Sequence, residues 1–258
     1  MKYILPFFIS LILVLPLSAQ TRTESLWAVW SDESQPVVTR LEAIDSIHLD
    51  PYGRFLPTNL DTAFYHAELQ YALAEENDLI KWMATALVSK GNYYSQKSLF
   101  NKAIDHYTQS KTIGEEIGDK KVISTSLFNL GVIYFKRGEG DQGLLVLIQA
   151  IELYNELGKK YEEAQALAMV GMIYNFQKSD IKKAIPFLKR SLAIREELLK
   201  TDDTQENRFV VNGMKGTIKS LEEPLEAITD IIDLDSYIPE ISEEDIVVSS
   251  TPDVEVIK

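Results

Sequence analysis

The 258-residue chain contains no cysteine, which excludes disulfide bonds, thiol nucleophiles and thiolate metal sites. Histidine is nearly absent as well, with three residues. No apolar run reaches the roughly 20 residues that a membrane-spanning helix needs. The fold must therefore be stabilised by side-chain packing, for which hydrophobic residues, at 45% of the sequence, are plentiful.

A basic surface is also missing, because the net charge is −13. Residues 201–258 hold 15 acidic and 4 basic residues, whereas residues 21–200 hold 24 and 21. Nucleic acids are bound by clustered lysine and arginine, so we expect no nucleic-acid partner. Residues 234–258 alternate acids with isoleucine and valine, and we expect them to form an acidic flexible tail.

The N-terminus predicts export. Lys2 precedes a nearly continuous apolar run from Ile4 to Leu17, and small residues follow at Ser18 and Ala19. This order is typical of a secretory signal peptide, here residues 1–19, with cleavage after Ala19. A single membrane anchor is the alternative. We expect an exported, periplasmic bacterial protein with no stable membrane span after cleavage.

A period of forty residues runs through the middle of the chain. Glycine recurs at this interval with a tyrosine three residues later, at Gly91 and Tyr94, Gly131 and Tyr134, and Gly171 and Tyr174. A second series of small residues comprises Ala63, Ala103, Gly143 and, one residue late, Ala184. Two interleaved series of this kind indicate a helical-hairpin repeat.

The apolar spacing predicts an all-α chain. The expected helices cover residues 37–47, 61–75, 79–96, 100–117, 120–137, 141–157, 160–177 and 181–199. A lead-in at 20–36 precedes this array at 37–200. Counting forty residues on from Gly171 gives Val211. We therefore expect residues 201–233 to form degenerate capping helices, near 205–220 and 222–232.

The pattern resembles the tetratricopeptide repeat in a 40-residue form. This resemblance implies a right-handed superhelical solenoid of antiparallel helix pairs, with about three to four repeats. Close helix approach is then expected where the repeat places small residues and the rings and aliphatic side chains around them. These packing positions are Ala63, Gly91, Tyr94, Ala103, Tyr107, Gly131, Tyr134, Gly143, Ala150, Gly171, Tyr174 and Ala184.

The resemblance also implies a concave groove, lined by the first helix of each pair, that binds a protein or peptide. The residues carried over to the groove are Asn92, Gln96, Thr125, Phe128, Asn129, Val132, Phe135, Lys136, Gln165, Met169, Met172, Asn175 and Phe176. Amides suit a peptide backbone, and phenylalanine and methionine suit apolar side chains. We expect a non-catalytic scaffold that requires no cofactor.

A further resemblance, to the exported sensory region of bacterial nucleotide cyclases and histidine kinases, is carried by residues 26–44 and 59–65. Trp30, Asp32 and Arg40 belong to the first of these stretches. It implies an alternative function as a sensory module of a signalling system, without the catalytic domain.

Three motifs permit rival interpretations. Residues 138–143 match G-x-G-x-x-G, which binds dinucleotides only between a strand and a helix; helix packing is the alternative that we favour. His66 and His106 lie forty apart, which permits a metal or pH-sensing pair or a coincidence of the repeat. Asp230, Asp233 and Asp235 suggest calcium only loosely, since the glycine and closing glutamate are absent. We expect no metal and no catalytic residues.

Overall fold

A computed structural model describes residues 17–48 and 60–226, and it shows α-helices without strands in these ranges. The helices are α1 (Leu17–Ser31), α2 (Val37–His48), α3 (Leu60–Glu76), α4 (Ile80–Gln96), α5 (Phe100–Ile117), α6 (Lys120–Arg137), α7 (Gly140–Glu156), α8 (Lys160–Phe176), α9 (Ile181–Leu199) and α10 (Gln205–Glu226). The expected all-α class is confirmed, and short turns join successive helices of the array into antiparallel pairs.

The predicted helices of the array agree with the structure to within one or two residues, but the ends of the array differ. Helix α1, which the sequence interpretation did not predict, begins at Leu17 and occupies most of the lead-in expected at 20–36. Capping helices were expected near 205–220 and 222–232, but α10 runs from the first into the second without a break, as far as Glu226, where the described residues end. Pro224 does not open a new helix, because the described backbone stays helical through it to Glu226.

Each of the six turns between α3 and α9 contains one residue in the left-handed backbone region, which a residue with a Cβ adopts only at a cost. These residues follow one another at intervals of twenty, with a final interval of 21. They are Asp78, Ser98, Gly118, Gly138, Gly158 and Ser179, with φ values of 53°, 58°, 69°, 79°, 65° and 52°. One helix and one turn therefore make a twenty-residue half-repeat.

The turns share one pattern of hydrogen bonds. The amide of Gly118 donates to the carbonyl of Glu115 (3.3 Å), and the amide of Asp119 donates to that of Gly114 (2.9 Å). This pair of bonds satisfies carbonyls that the helix end leaves free. In the turn after α8, the amide of Asp180 donates to the carbonyl of Tyr174, and this hydrogen bond spans one residue more than the corresponding bond from Asp119 to Gly114. The extra residue of the third repeat is thus absorbed in the turn.

The chain divides into two compact units, Met1–His106 and Tyr107–Lys258. In the first unit α1 packs on α2, and α2 contacts α3 and α4. Trp30 of α1 is buried with Leu41 and Ile44 of α2 and with Ala74 of α3. Helix α1 is therefore part of the core of this unit.

In the second unit, glycine lets the helices of a pair approach closely. A Cβ built on Gly131 of α6 would lie 2.7 Å from Cδ2 of Leu147 in α7, and Cγ would be nearer still. A Cβ on Gly171 of α8 would lie 2.7 Å from Leu188 of α9. Since real Cβ atoms do not approach other atoms this closely, the large side chain of one helix occupies the space that the glycine of the other leaves.

Candidate functional site

Helices α6 and α8 are the first helices of two successive pairs, and they contact each other in the second unit. Eleven of the thirteen groove residues expected from the sequence lie on these two helices. Asn92 and Gln96 lie on α4, in the first unit, and are half-buried and exposed there. The shared face of α6 and α8 is called the α6–α8 face below.

Part of the α6–α8 face is used by the protein's own core. Phe128, Phe135 and Met169 pack against the buried cluster around Leu147 and Leu167. These side chains are held by neighbours within the repeat, so replacing them would disturb the fold as well as any partner.

Tyr154 of α7 explains how α6 is anchored. Its ring meets that of Phe128 edge-on, with the ring centroids 6.5 Å apart. Its side chain hydrogen-bonds with Thr125 and Ser124. Burial raises the pKa of Tyr154 above its usual range, so the phenol stays protonated. Thr125, expected to line the groove, is therefore engaged by the protein itself.

The other residues of the α6–α8 face are accessible to a partner. Phe176 is 69% exposed at the end of α8. Half-buried Val132 and Met172 lie on the same two helices, and so do the amides of Asn129, Gln165 and Asn175. Lys136 is the one charged residue among the expected groove positions of α6 and α8. The face is thus apolar and amide-rich, with very little charge.

A recurring contact explains two of the three repeat tyrosines, Tyr94 and Tyr174. In the first unit the rings of Tyr94 and His106 stack with centroids 5.2 Å apart, and Nζ of Lys102 lies 5.2 Å from the Tyr94 centroid. The same arrangement recurs in the third repeat. There Tyr174 stacks on Phe187 at 5.7 Å and Lys183 lies 5.7 Å from its ring. The sequence interpretation missed this motif, although a lysine and a ring follow both tyrosines at matching positions.

The histidines have separate aromatic neighbours. The ring of His66 lies 4.5 Å from that of Trp27 in α1, whereas His106 stacks on Tyr94. Burial lowers the pKa of both imidazoles. Within residues 17–48 and 60–226, no group of three metal-ligating side chains comes together. His106 is the counterpart of Phe187, so packing explains its place.

Replacing His106 by phenylalanine is expected to raise the free energy of unfolding by about 1 kcal/mol at pH 7.5, because phenylalanine fills the same stack. It also removes Nδ1, which is buried without a hydrogen-bond partner. Because the pKa of His106 is lowered on folding, its contribution to stability is complete above the unfolded pKa of about 6.5 and falls as the pH drops below it.

The advantage of His106→Phe should therefore grow between pH 7.5 and pH 5, as urea denaturation at both pH values would measure. Phe187→His is the matched control, and it should lose stability, more so at pH 5. A destabilised His106→Phe protein at pH 7.5 would contradict the packing interpretation.

The glycines of the G-x-G-x-x-G match are all used in packing or in a turn. Gly138 ends α6 in the left-handed region, and α7 begins at Gly140. A Cβ on Gly140 would lie 2.7 Å from Oε1 of Gln177, and one on Gly143 would lie 2.9 Å from Cδ1 of Ile173. The motif follows helix α6 rather than a strand, which is not the setting that dinucleotide binding requires.

A buried ion pair joins α8 to α9, and the sequence interpretation missed it. Glu163 is only 1% exposed. Nη2 of Arg190 donates to Oε1 at 2.7 Å, and Nζ of Lys160 donates to Oε2 at 2.8 Å. Both carboxylate oxygens are therefore neutralised by cations that are themselves about half exposed.

Several predictions lie outside the described residues. These are the apolar run of the signal peptide up to residue 16, the three aspartates suggested for calcium, and the tail at 234–258. Among the helices that the structure does describe, none combines the length and the hydropathy needed to cross a bilayer.

Part of the chain is similar to known repeat proteins. The tetratricopeptide repeat family model matches residues 122–197. The crystal structure of BtubC (BKLC) from P. vanneervenii is similar, with 19% identity, a TM-score of 0.52, and coverage of 69% of this chain and 72% of that one. A Podosopora anserina structure with nearly identical TPR-like repeats has 12% identity and a TM-score of 0.41, covering 82% and 94%. No curated protein matches the sequence.

Proposed function

We propose that this chain, whose residues 122–197 are tetratricopeptide repeats, is a non-catalytic scaffold that binds a protein or peptide on the α6–α8 face. The observation that carries the proposal is the exposure of Phe176 on a face with almost no charge. When a partner covers an exposed aromatic ring, apolar surface is removed from water, and this removal favours binding.

The chemistry of the face favours a peptide. Met172 has a flexible thioether side chain that adapts to different apolar partners. Asn129 and Asn175 each carry an amide that can donate to a backbone carbonyl and accept from a backbone N–H. A face with amides beside apolar side chains suits an extended or helical segment bound through both backbone and side chains.

We also propose that the scaffold is exported and acts in the bacterial periplasm. The sequence order of Lys2, the apolar run and Ala19 supports this. The lack of cysteine is compatible with an oxidising compartment, because the chain has no thiol that could be oxidised there. N-terminal sequencing of the protein recovered from the periplasm tests the proposed cut, which predicts Gln20 as the first residue.

The binding face is tested with Phe176→Ser combined with Met172→Ser, because these side chains lie outside the core cluster. Crosslinking in the exported fraction identifies a partner, and calorimetry with the purified partner then measures the Kd. We expect the double variant to weaken binding at least about tenfold, which corresponds to roughly 1.4 kcal/mol. Phe128 and Phe135 make poorer test sites, since both pack in the core.

Leu157→Ser provides the control. Leu157 is also an exposed apolar residue of the second unit, but it lies in the turn after α7, away from the α6–α8 face. This variant should bind with the wild-type Kd. Equal Kd values for wild type and the Phe176/Met172 variant, with melting curves unchanged, would refute the proposed face.

A further inference from the structure

We propose that helix α10 extends the binding surface beyond α8, with Phe209 and the open helix surface over Gly213 and Gly216 receiving a bulky apolar side chain, above all an aromatic one, of an uncharged partner segment. This inference rests on the proposed function and specifies the chemistry of the partner at one end of the same face.

The register of α10 follows from its buried side. In α8, one side faces the preceding helix α7 and carries Val170, Ile173 and Gln177. Gly140 of α7 lies next to Gln177, and Gly143 of α7 lies next to Ile173. The repeat that contains the extra residue near Ser179 is 41 residues long. Adding 41 to the numbers of these three α8 residues gives Val211, Met214 and Ile218. Val211 and Ile218 are buried and Met214 is half-buried. Helix α10 thus packs on α9 as α8 packs on α7.

The same offset places Asn212, and not Val211, at the position of the repeat glycine. Counting forty residues from Gly171 gave Val211, which is in line with Val170 instead. It also aligns Phe209 with Ala168 of α8 and with Phe128 of α6. Gly213 and Gly216 are then in line with Met172 and Asn175. The positions of the α6–α8 face therefore have counterparts along α10 from Phe209 onward.

This part of α10 is open. Phe209 is 78% exposed, more than any other large apolar side chain of the described residues. A Cβ built on Gly213 or Gly216 would meet no atom within 4 Å, whereas one on Gly131 or Gly171 would collide with a leucine. Two open glycines one turn apart beside an exposed ring leave room for a side chain from outside.

The charges of α10 favour an uncharged segment. In line with the face, Phe209 is followed by Val210, Gly213, Gly216 and Thr217, none of which is charged. The cations of this stretch have partners elsewhere: Arg208 pairs with Asp203 (3.1 Å) and Lys215 with Glu196 (2.7 Å).

The remaining chain fits this surface poorly. Residues 227–258 contain nine acidic residues and one basic residue. Docking a strongly acidic segment on an uncharged apolar surface removes water from carboxylates without supplying a counter-charge. An uncharged partner segment with an aromatic side chain loses less on desolvation and gains contact with Phe209.

The test uses the full exported chain and four capped octapeptides, uncharged outside one central residue, which is tryptophan, phenylalanine, leucine or aspartate. We expect NMR titration to give the smallest Kd for tryptophan, then phenylalanine, and no binding for aspartate. Gly213→Leu, whose side chain covers the open surface beside Phe209, and Phe209→Ala should each weaken tryptophan-peptide binding at least fivefold. Arg208→Ala, beside Phe209 but paired with Asp203, is the control and should leave the Kd unchanged.

The outcomes separate this inference from the proposed function. If Phe176→Ser weakens peptide binding while Gly213→Leu and Phe209→Ala do not, the α6–α8 face binds partners and its extension onto α10 is refuted. If a chain ending at Asp233 binds the tryptophan peptide more tightly than the full chain, the tail occupies the surface and the proposal of an external partner fails. Binding of none of the aromatic peptides at millimolar concentration also overturns it.

Discussion

Replacing both cations beside Glu163, as Lys160→Met and Arg190→Met, should lower the free energy of unfolding by about 3–5 kcal/mol, the range for a buried charge that loses its partners. Glu163 has almost no exposure to water, so the carboxylate left behind cannot be rehydrated without opening the contact between α8 and α9. Methionine keeps the aliphatic stems of both side chains. Urea denaturation at pH 7.5 measures the loss.

Glu163→Gln in the double variant distinguishes charge from packing. Removing the charge should recover a measurable part of the stability, because a neutral amide costs less to bury than a carboxylate. Lys120→Met is the matched control. Lys120 also pairs with a carboxylate, Glu156, at 2.6 Å, but both members are more than half exposed. That pair should contribute no more than about 1 kcal/mol. Equal losses in the two cases would contradict the assignment.

Gly131→Ala is expected to lower the free energy of unfolding by about 1–3 kcal/mol, the usual cost of overpacking a filled core. The loss should appear although alanine favours a helix over glycine by roughly 1 kcal/mol. The new methyl group would overlap Leu147, which is fully buried and cannot move aside without displacing its own neighbours. Thermal and urea denaturation both measure the effect.

Gly213→Ala is the control for helix propensity. Gly213 is also helical, but nothing lies within 4 Å of the position of its Cβ. This variant should be stabilised by up to about 1 kcal/mol. Combining Gly131→Ala with Leu147→Ala should reveal coupling, because the shortened leucine makes room for the methyl group. Strict additivity of the two substitutions would show that they do not share the same space.

The helices of the array were predictable because one period of forty specifies them several times over. Each series of small residues marks a close helix contact, and Gly118 and Gly158 mark helix ends through their left-handed backbone. Helix α1 was missed because its packing on α2 depends on Trp30, a single ring whose partner lies in another helix. Such a long-range contact leaves no periodic signal in the sequence.

The candidate site was less predictable. The position of a residue within the repeat predicts which side of the helix it lies on. It does not predict whether another side chain of the protein already packs against it. Phe128 and Phe176 were assigned to the groove on equal terms, yet the first packs on the core cluster and against Tyr154, whereas the second is exposed. The alignment of Phe209 with the groove positions depends on the offset of 41, which becomes visible only through the burial of Val211 and Ile218.

The additional residue near Ser179 has a consequence for comparing and engineering such repeats. Inserted within a helix, one residue rotates all later side chains by about 100° about the helix axis, which would turn an apolar stripe towards solvent. Held in the turn, it leaves every later face where it was. Homologues should therefore be aligned from one left-handed turn residue to the next, and chimaeric proteins joined there, so that modules of 20 and 21 residues can be exchanged without reorienting the helices on their C-terminal side.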